Sequence, residues 1–319
     1  MLRRKVPGVD YIECNVCDKE ALMIALDGVD LVFHTSAVID LSPFPTRNMH
    51  GRPKIEEVNI GGTGTCVVCL SLPLPPLPLP LPLSHPPPAR SECSSGKGML
   101  LGSAEEMTCK PPPLRSTPSH TSHPPLALTL TLSENVIACC RALSVGRLVY
   151  TSTGDVIFNG DPKVGVDEME PYAPLPSIYN YYISSKATAE QLVLAADSDE
   201  LSTAALRPGH IYGPGDAMIA IIIEMRKSGD LPTRVGQGTN DYIYVDNLVD
   251  AHLEAAASLL EPGSPTKGQA YFICDYAASV WEHMEPFLSA AGLTVPGPTI
   301  PLVVVQTIAA VVELYYGFM

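Results

Sequence analysis

Continuous apolar segments alternate with segments of helical periodicity along much of this 319-residue sequence. Apolar segments of strand length, suited to burial on both faces of a sheet, occupy residues 29–37, 147–153 and 202–208. Helical periodicity is present at residues 18–26, where Asp18 is placed to cap the helix, and at 134–146 and 179–197. This alternation predicts an α/β fold built on a doubly wound parallel sheet.

Charge and cysteine usage restrict the class of partner. The 34 acidic against 20 basic residues give a net charge of −14, which repels phosphate backbones and argues against a nucleic-acid partner. Nine cysteines are an odd number, and no signal peptide is recognisable, so a disulfide framework is not expected. The C-x-x-C pairs Cys14/Cys17 and Cys66/Cys69 are too far apart for a zinc ribbon, so we predict ordinary thiols and no metal site.

Residues 70–133 differ in composition from the rest of the chain. About half of the 32 prolines fall there, many in alternating Leu-Pro runs. Proline removes backbone donors and blocks helices, so the segment is predicted to be disordered or polyproline II and not a membrane span. A ligand for SH3 or WW domains is one interpretation. An insert outside the fold is favoured, because a compact domain seldom contains so long a structureless loop.

The clearest chemical signal is the pair Tyr182 and Lys186 within a predicted helix. A spacing of four residues places both side chains on one face, one turn apart. An ammonium group beside a phenol favours the phenolate, which predicts a lowered tyrosine pKa suited to proton transfer. The strand at 147–153 ends in Ser152 and Thr153, whose hydroxyls should lie at the ligand-binding edge of the sheet. The alternative is an exposed Tyr and Lys on an ordinary amphipathic helix.

Several strings together carry a family resemblance over residues 8–63 and 134–319. They are GVDLVFHTSA, VNIGGT, GRLVYTSTGDVIFNG, YYISSKATAE, LRPGHIYGPGD, DYIYVDNLVDAHL and GQAYFICD. The chain resembles the extended short-chain dehydrogenases/reductases. Within them it resembles the branch of 3β-hydroxysteroid dehydrogenases and decarboxylating sterol-4α-carboxylate 3-dehydrogenases.

The resemblance implies roles for individual residues. Tyr182 corresponds to the catalytic acid/base and Lys186 to its partner, which also holds the nicotinamide ribose. Thr153 takes the place of the family serine, with Ser152 as the alternative, and Asn59 matches the asparagine of the proton relay. The implied NAD or NADP site comprises Asn15, Val16, His34, Thr35, Ser36, Ala37, Tyr182, Lys186, Pro208 and Gly209. Asn15 stands where relatives usually have an aspartate, so a charge at the adenine is lost.

The implied activity is oxidation of a sterol or steroid 3β-hydroxyl to the 3-ketone with NAD(P). When the substrate carries a 4α-carboxylate, the ketone makes it a β-keto acid that decarboxylates readily. A nucleotide-sugar epimerase or a dihydroflavonol-type reductase shares the fold and the Tyr/Lys pair. A non-catalytic remnant of such an enzyme is the alternative from another class.

Two departures from the family pattern accompany the resemblance. The sequence contains no G-x-x-G-x-x-G turn, whose backbone amides would hold the cofactor pyrophosphate, and about ten residues precede what resembles the third strand. We therefore expect an N-terminally truncated Rossmann-like domain, and we expect the 319 residues alone to bind the cofactor poorly. Joining Thr63 to Glu134 gives an uninterrupted family-like helix, so residues 70–133 are interpreted as translated intron sequence.

The expected organisation has four parts. Residues 1–69 and 134–207 form the Rossmann-like domain, with a helix starting in 55–69, and 70–133 form the disordered insert. Residues 208–298 form a smaller substrate-binding cap. Residues 299–319 are an apolar helix of about twenty residues. It either spans a membrane or is an amphipathic helix that packs on the cap or lies on a membrane surface. Relatives are commonly membrane proteins of the endoplasmic reticulum, so that membrane or the cytoplasm is the expected location.

Overall fold

The computed structural model describes residues 12, 16, 18–35, 67–70, 124–175, 181–230, 234–235 and 238–317. The strands are β1 Leu31–His34, β2 Val67–Leu70, β3 Arg147–Thr151, β4 Ser202–Pro208, β5 His210–Tyr212, β6 Thr239–Tyr244, β7 Gln269–Ile273 and β8 Tyr276–Ser279. The helices are α1 Lys19–Ala25, α2 Pro124–Ala142, α3 Tyr181–Ala195, α4 Ala217–Ser228, α5 Val245–Ser258, α6 Val280–Ala290 and α7 Leu302–Gly317. A 3-10 helix, Gly154–Ile157, follows β3.

The central sheet has five strands in the order β2-β1-β3-β4-β7. The last four are parallel, and β2 pairs with β1 in the antiparallel direction. His34 lies opposite Tyr150, and Pro208 lies opposite Ile273, so the carboxyl ends of the parallel strands meet at one edge. This edge is where open α/β sheets bind ligands.

Helices cover both faces of the central sheet. On one face Leu148 and Tyr150 of β3 belong to a buried cluster that includes Leu22 of α1, Val136 of α2 and Val193 of α3. On the other face, α5 and its C-terminal cap residue contribute Ala255, Ala256 and Leu259, which pack against the strand residues Leu31, Phe33, Val149, Ala204 and Leu206. Adjacent residues of β3 serve opposite faces because side chains alternate along a strand. The predicted α/β class with a doubly wound parallel sheet is confirmed.

A second sheet of three strands has the order β5-β6-β8. Helix α4 begins after the cap residue Asp216, and α6 begins with a capping box between Ser279 and Glu282. The segment 208–298 is thus divided between the two sheets, because β7 pairs with β4 and α5 packs on the central sheet. A cap built from β5, β6, β8, α4 and α6 is therefore not contiguous in sequence.

Two sequence expectations are corrected by the structure. Val67–Leu70, placed in a predicted helix, is an edge strand, and its β-branched residues suit pairing with β1. Helix α2 begins at Pro124, ten residues inside the segment predicted to be disordered. Prolines are tolerated in the first turn of a helix, where amides have no intrahelical acceptor, so Pro124 and Pro125 start this helix. Residues 71–123 lie outside the described residues, and so do residues 9–14, a further short segment predicted to be a strand, apart from Ile12.

The apolar tail forms α7, and its side chains from 302 to 312 are exposed except for the half-buried Val305. Within the described part of the chain, no helix combines the length and the apolar character needed to cross a membrane. Cys14, Cys17 and Cys66 lie outside the described residues.

Candidate active site

The proposed acid/base pair lies on the first two turns of α3, beside the carboxyl end of β3. The interior of this helix is rich in Ser, Ala and Thr, and Ser184, Ser185, Ala187 and Ala189 are all buried. Small side chains allow the helix to approach the sheet closely. Tyr182 and Lys186 therefore face the end of β3, as their spacing predicts.

The Lys186 side chain is 2% exposed, and its Nζ atom donates a hydrogen bond to the backbone carbonyl of Thr151. The same Nζ lies 4.4 Å from the centroid of the Tyr150 ring, a cation–π contact. Among the described residues no carboxylate forms an ion pair with it. Burial lowers the pKa of Lys186 to about 7, against the opposing effect of the Glu190 charge.

Tyr182 contradicts the expectation of a lowered pKa. Burial raises the pKa of this phenol to about 12, the charge of Asp155 adds to the rise, and a hydrogen bond with Thr153 opposes it. The expectation considered only the neighbouring ammonium, whereas loss of hydration on burial is the largest cause. Tyr182 is consequently a phenol, and a proton donor, near neutral pH.

Thr153 and Ser152 occupy different positions at the end of β3. Thr153 caps the 3-10 helix: its Oγ1 accepts from the amide of Asp155 at 3.3 Å and lies 3.4 Å from Asp155 Oδ2. It also hydrogen-bonds Tyr182, so the structure brings these two predicted residues together. The Ser152 Oγ is buried and has no hydrogen-bond partner within the described part of the chain, and the same is true of the Tyr150 hydroxyl.

His34 ends β1 next to this cluster. Its ring lies 5.2 Å from that of Tyr150, and its Nε2 is hydrogen-bonded to the Ser133 hydroxyl of α2 at 3.2 Å. Burial lowers the pKa of His34 to about 3, with a further contribution from the Lys186 charge. His34 is therefore neutral at physiological pH. Thr35, the next residue, is half-buried at the same edge.

The turn after β4 is the point where the two sheets approach each other. Pro208 is buried, and the Gly209 amide donates to the carbonyl of Ile273 at 3.1 Å. A Cβ atom at Gly209 would lie 2.5 Å from the carbonyl oxygen of Asp241, so a side chain is excluded here by backbone. This glycine lets the chain pass from β4 of the central sheet to β5 of the small sheet while it lies close against the backbone of β6.

Of the remaining predicted site residues, Val16 lies away from this cluster and the others lie outside the described residues. The Val16 side chain is fully buried in the core with α1 and α2, and its carbonyl accepts from Asn135 Nδ2 at 3.1 Å. Asn15, Ser36, Ala37 and Asn59 lie outside the described residues.

Three residues at the site were not singled out from the sequence: Tyr150, Asp155 and Glu190. In the sequence Tyr150 is one residue of an apolar strand. Its place at the site follows only from its contact with Lys186 in the fold. The signal for Glu190 was its spacing of four residues from Lys186 on the same helix. Its partner is Arg207, whose side chain turns into the protein instead of bordering the edge.

A sequence model described as the 3-beta hydroxysteroid dehydrogenase/isomerase family matches residues 2–72 and 128–302. The chain belongs to this family. The unmatched stretch between the two blocks lies within the proline-rich segment.

Curated proteins that are similar to this chain are named as dehydrogenases or reductases. The decarboxylating sterol-4-alpha-carboxylate 3-dehydrogenase of Schizosaccharomyces pombe is 37% identical over 163 residues, which cover 47% of this chain and 47% of that protein. Isoform 1 of the 3beta-hydroxysteroid-dehydrogenase/decarboxylase of Arabidopsis thaliana is 36% identical over 193 residues, or 58% of this chain and 44% of the relative. The 2-alkyl-3-oxoalkanoate reductase of Shewanella oneidensis is 36% identical over 195 residues, covering 58% and 50%. The chain spans about half the length of these curated relatives.

Solved structures support the fold. A crystal structure of gox2253 matches with a TM-score of 0.59 and 17% identity, covering 96% of this chain and 68% of that one. The dTDP-glucose 4,6-dehydratase DesIV of Streptomyces venezuelae matches with a TM-score of 0.54 and 15% identity, covering 92% and 68%. At these identities the likeness concerns the Rossmann-like architecture only.

Proposed function

We propose that this chain carries the catalytic half of an NAD(P)-dependent dehydrogenase that oxidises the 3β-hydroxyl of a sterol or steroid to the 3-ketone. The observation that carries the proposal is the meeting of Tyr182, Thr153 and Lys186 at the carboxyl edge of the sheet, in a chain of this family. The names of the sterol dehydrogenase relatives support the substrate class.

Each side chain has a role that follows from its position. Near neutral pH Tyr182 is the phenol, which in reduction donates its proton to the ketone oxygen. In oxidation its phenolate form, which is favoured at higher pH, removes the proton of the substrate hydroxyl. Thr153 shares a hydrogen bond with Tyr182 and orients the substrate oxygen. Lys186 supplies positive charge that offsets the phenolate. A bound nicotinamide supplies the hydride acceptor and, when oxidised, a positive charge.

The residues at the carboxyl edge fit the nicotinamide half of NAD or NADP. Lys186 presents a buried amine without a carboxylate partner among the described residues, and the Ser152 Oγ is a buried hydroxyl with no hydrogen-bond partner. These groups would bind ribose hydroxyls and the carboxamide. Pro208 and Gly209 would border the ring, and His34 and Thr35 would line the groove. We also propose, from the family resemblance of the sequence, that the cofactor site or the proton relay includes Asn15, Val16, Ser36, Ala37 and Asn59.

Decarboxylation would follow oxidation when the substrate carries a 4α-carboxylate. In the resulting β-keto acid the bond from C4 to the carboxylate breaks, carbon dioxide leaves, and the electron pair moves to the ketone oxygen as an enolate. The enolate then takes a proton at C4. No group beyond those that bind the 3-oxygen is required, and the decarboxylating relatives support this step.

A second candidate is reduction of a 3-oxo carboxylic acid of the alkanoate type. It is supported by the protonated state of Tyr182 near neutral pH, which suits ketone reduction, and by the bacterial reductase relative. When the sterol carries a 4α-carboxylate, both candidates share a carbonyl or carbinol carbon that is β to a carboxylate.

We further propose that the small sheet with α4 and α6 covers the substrate. Exposed apolar α7 would associate with a membrane surface, at the endoplasmic reticulum or facing the cytoplasm. An apolar helix next to the domain suits a substrate that is itself insoluble in water.

The test is nicotinamide reduction with two alcohols: a 4α-carboxy-3β-hydroxysterol and a 3-hydroxyalkanoate. Two forms of the protein are assayed, because the sequence has no glycine-rich turn. One is the chain itself, and the other is the chain preceded by a strand–G-x-x-G-x-x-G–helix–strand segment. Turnover of the sterol supports the first proposal, and turnover of the alkanoate alone supports the second.

Tyr182→Phe should lower turnover about a thousandfold in the active form, because it removes the proton-transfer group but little volume. Tyr271→Phe is the matched control, since its hydroxyl only meets the carbonyl of Pro265 at 3.4 Å. Nicotinamide neither bound nor reduced by either form would favour the non-catalytic remnant. Wild-type turnover in Tyr182→Phe would exclude the assigned mechanism.

A further inference from the structure

A buried ion pair joins α3 to β4 behind the proposed catalytic residues. We propose that Glu190 is a positioning residue: held by Arg207 and Tyr172, its carboxylate fixes the face of α3 that carries Tyr182 and Lys186, and its charge acts on the Lys186 ammonium. The roles given to Tyr182 and Lys186 rest on the proposed function, whereas the contacts of Glu190 do not.

The three α3 residues share one helix face. Tyr182, Lys186 and Glu190 are spaced by four residues, so each lies about one turn beyond the last. Glu190 is fully buried, and it can be tolerated there as an anion only with a strong partner. The charge at the end of this row is therefore part of the environment of the two residues before it.

Arg207 binds the Glu190 carboxylate through two of its nitrogens. Its Nη2 lies 2.7 Å and its Nε 3.0 Å from Glu190 Oε1, and both side chains are buried. Fork-like contacts of this kind fix the orientation of both planar groups. Because Arg207 is followed directly by Pro208 and Gly209, the contact ties the catalytic helix to the turn that borders the proposed nicotinamide site.

Further contacts hold the pair in place. The Tyr172 hydroxyl donates to Glu190 Oε1 at 2.7 Å, and Arg207 Nη1 donates to the carbonyl of Glu168 at 3.3 Å. The guanidinium carbon lies 5.3 Å from the Tyr172 ring centroid and 5.2 Å from that of Phe272. The Phe272 amide in turn donates to the Glu168 carboxylate at 3.0 Å. The ion pair thus brings together four segments of the chain: α3, β4, β7 and the loop that contains Glu168 and Tyr172.

Several titratable groups lie around Lys186 and its two neighbours on this face of α3. His34 of β1 and Tyr150 of β3 lie beside Lys186, Asp155 acts on Tyr182, and Arg207 and Tyr172 contact Glu190. Of these, Glu190 raises the pKa of Lys186 against the lowering by burial. Loss of the Glu190 charge should therefore favour the neutral amine of Lys186.

The test is the pH titration of Lys186 by NMR of isotope-labelled lysine ε-methylene groups in the full chain, with the signal assigned by its loss in Lys186→Met. In Glu190→Gln the titration midpoint should fall by about one pH unit relative to wild type. Tyr172→Phe is the control, because it removes a hydrogen bond to Glu190 but no charge, and its midpoint should stay at the wild-type value.

Glu190→Gln leaves the Arg207 cation buried alone and could unfold the chain, so the double variant Glu190→Gln/Arg207→Gln is measured as well. A neutral pair is easier to bury, and the midpoint should still fall, by less than in the single variant. An unchanged midpoint in whichever of these variants folds would overturn the inference.

The readout needs neither substrate nor cofactor. A chain without dehydrogenase activity that still shows the shift would sink the proposed function and leave the role of Glu190 standing. In an active form the alkaline limb of the turnover profile should move to lower pH in Glu190→Gln and stay in place in Tyr172→Phe. If Glu190→Gln and Tyr172→Phe lost turnover equally and the alkaline limb of each pH profile stayed in place, the contacts of Glu190 would be purely structural.

Discussion

The central sheet and the small sheet meet at Gly209 but stabilise polar groups in different ways. Around the central sheet, Lys186, Glu190 and Arg207 are withdrawn from water and satisfied by charge and hydrogen bonds. In the small sheet and the adjoining α6, tyrosine and histidine rings pack against one another. The first arrangement fixes orientation, because each buried charge needs its own partner, whereas the second tolerates small shifts between rings.

The small sheet shows this stacking most clearly around His283. Its ring lies 3.8 Å from that of Tyr242, nearly parallel at 10°, and 4.9 Å from that of Tyr212. The Tyr276 hydroxyl is hydrogen-bonded to His283 Nδ1 at 2.8 Å. Tyr212 and Tyr276 are half-buried, so this surface can adapt to a ligand more readily than the catalytic face of α3 can.

The largest expected difference between the regions concerns their ion pairs. Arg207→Ala should destabilise the fold by about 3–5 kcal/mol, because it leaves the Glu190 carboxylate buried without its partner. The control is Lys227→Ala on α4, which breaks the exposed pair with Glu224 and should cost no more than about 0.5 kcal/mol. Denaturant unfolding measures both. Equal costs would mean that the buried pair is better hydrated than its geometry indicates.

The junction of the sheets should be the next most sensitive point. Gly209→Ala should destabilise by about 3 kcal/mol, since the added methyl meets the Asp241 backbone, which cannot move aside as a side chain would. Gly146→Ala is the matched control, because nothing lies within 4 Å of its Cβ position. Thermal unfolding of the two variants checks the difference. A normal melting temperature for Gly209→Ala would show that the sheets can separate at low cost.

Sequence reasoning located the central sheet better than the small one. The buried strands β1, β3 and β4 are continuous apolar runs, and α1 and α3 have clear periodicity, so local pattern was sufficient. Strand β8 and helix α6 were not predicted. Four-residue β8 is too short for a periodic signal, although the Ser279/Glu282 capping box marks the start of α6.

At the site, local spacing predicted the helix face and missed what depends on tertiary contact. Tyr182 and Lys186 share a face as their spacing requires, but the pKa of Tyr182 depends on burial and on Asp155, which only the fold brings near. The Arg207–Glu190 contact joins two elements through the packing of α3 on β4. Arg207 lies in the string LRPGHIYGPGD, and such a string cannot show where a side chain points.

The pH dependence of stability separates the regions again. In the folded state burial lowers the pKa of His34 from its ordinary 6.5 to about 3, so the unfolded chain binds the proton more readily. The stabilisation is fully present above pH 6.5 and is lost as the pH falls below that value. Lowering the pH from 7 to 5 should therefore cost about 2 kcal/mol through His34 alone.

His34→Gln should remove most of this acid sensitivity while keeping a hydrogen-bonding group for Ser133. His283→Gln is the comparison in the small sheet. Burial lowers the pKa of His283 as well, but the Asp216 charge opposes it, so the sign is the same and the effect should be smaller. The free energy of unfolding of both variants, measured in the same denaturant at pH 7 and pH 5, tests this expectation. A larger loss of acid sensitivity in His283→Gln than in His34→Gln would contradict it.

The smallest expected change in stability comes from the C-terminal helix α7, most of whose described side chains are exposed. Deleting residues 302–319 should alter the free energy of unfolding by less than about 0.5 kcal/mol, because the side chains from 302 to 312 are exposed apart from half-buried Val305. The bridge between Val235 and Ile300 precedes the cut and is kept. The same deletion should abolish co-sedimentation with phosphatidylcholine vesicles, since it removes the exposed apolar helix. The triple variant Val304→Gln/Ile308→Gln/Val311→Gln keeps the length of the chain and should release the protein from vesicles equally. A loss of several kcal/mol on deletion would mean that α7 packs on the domain, and the membrane proposal would then have to be withdrawn.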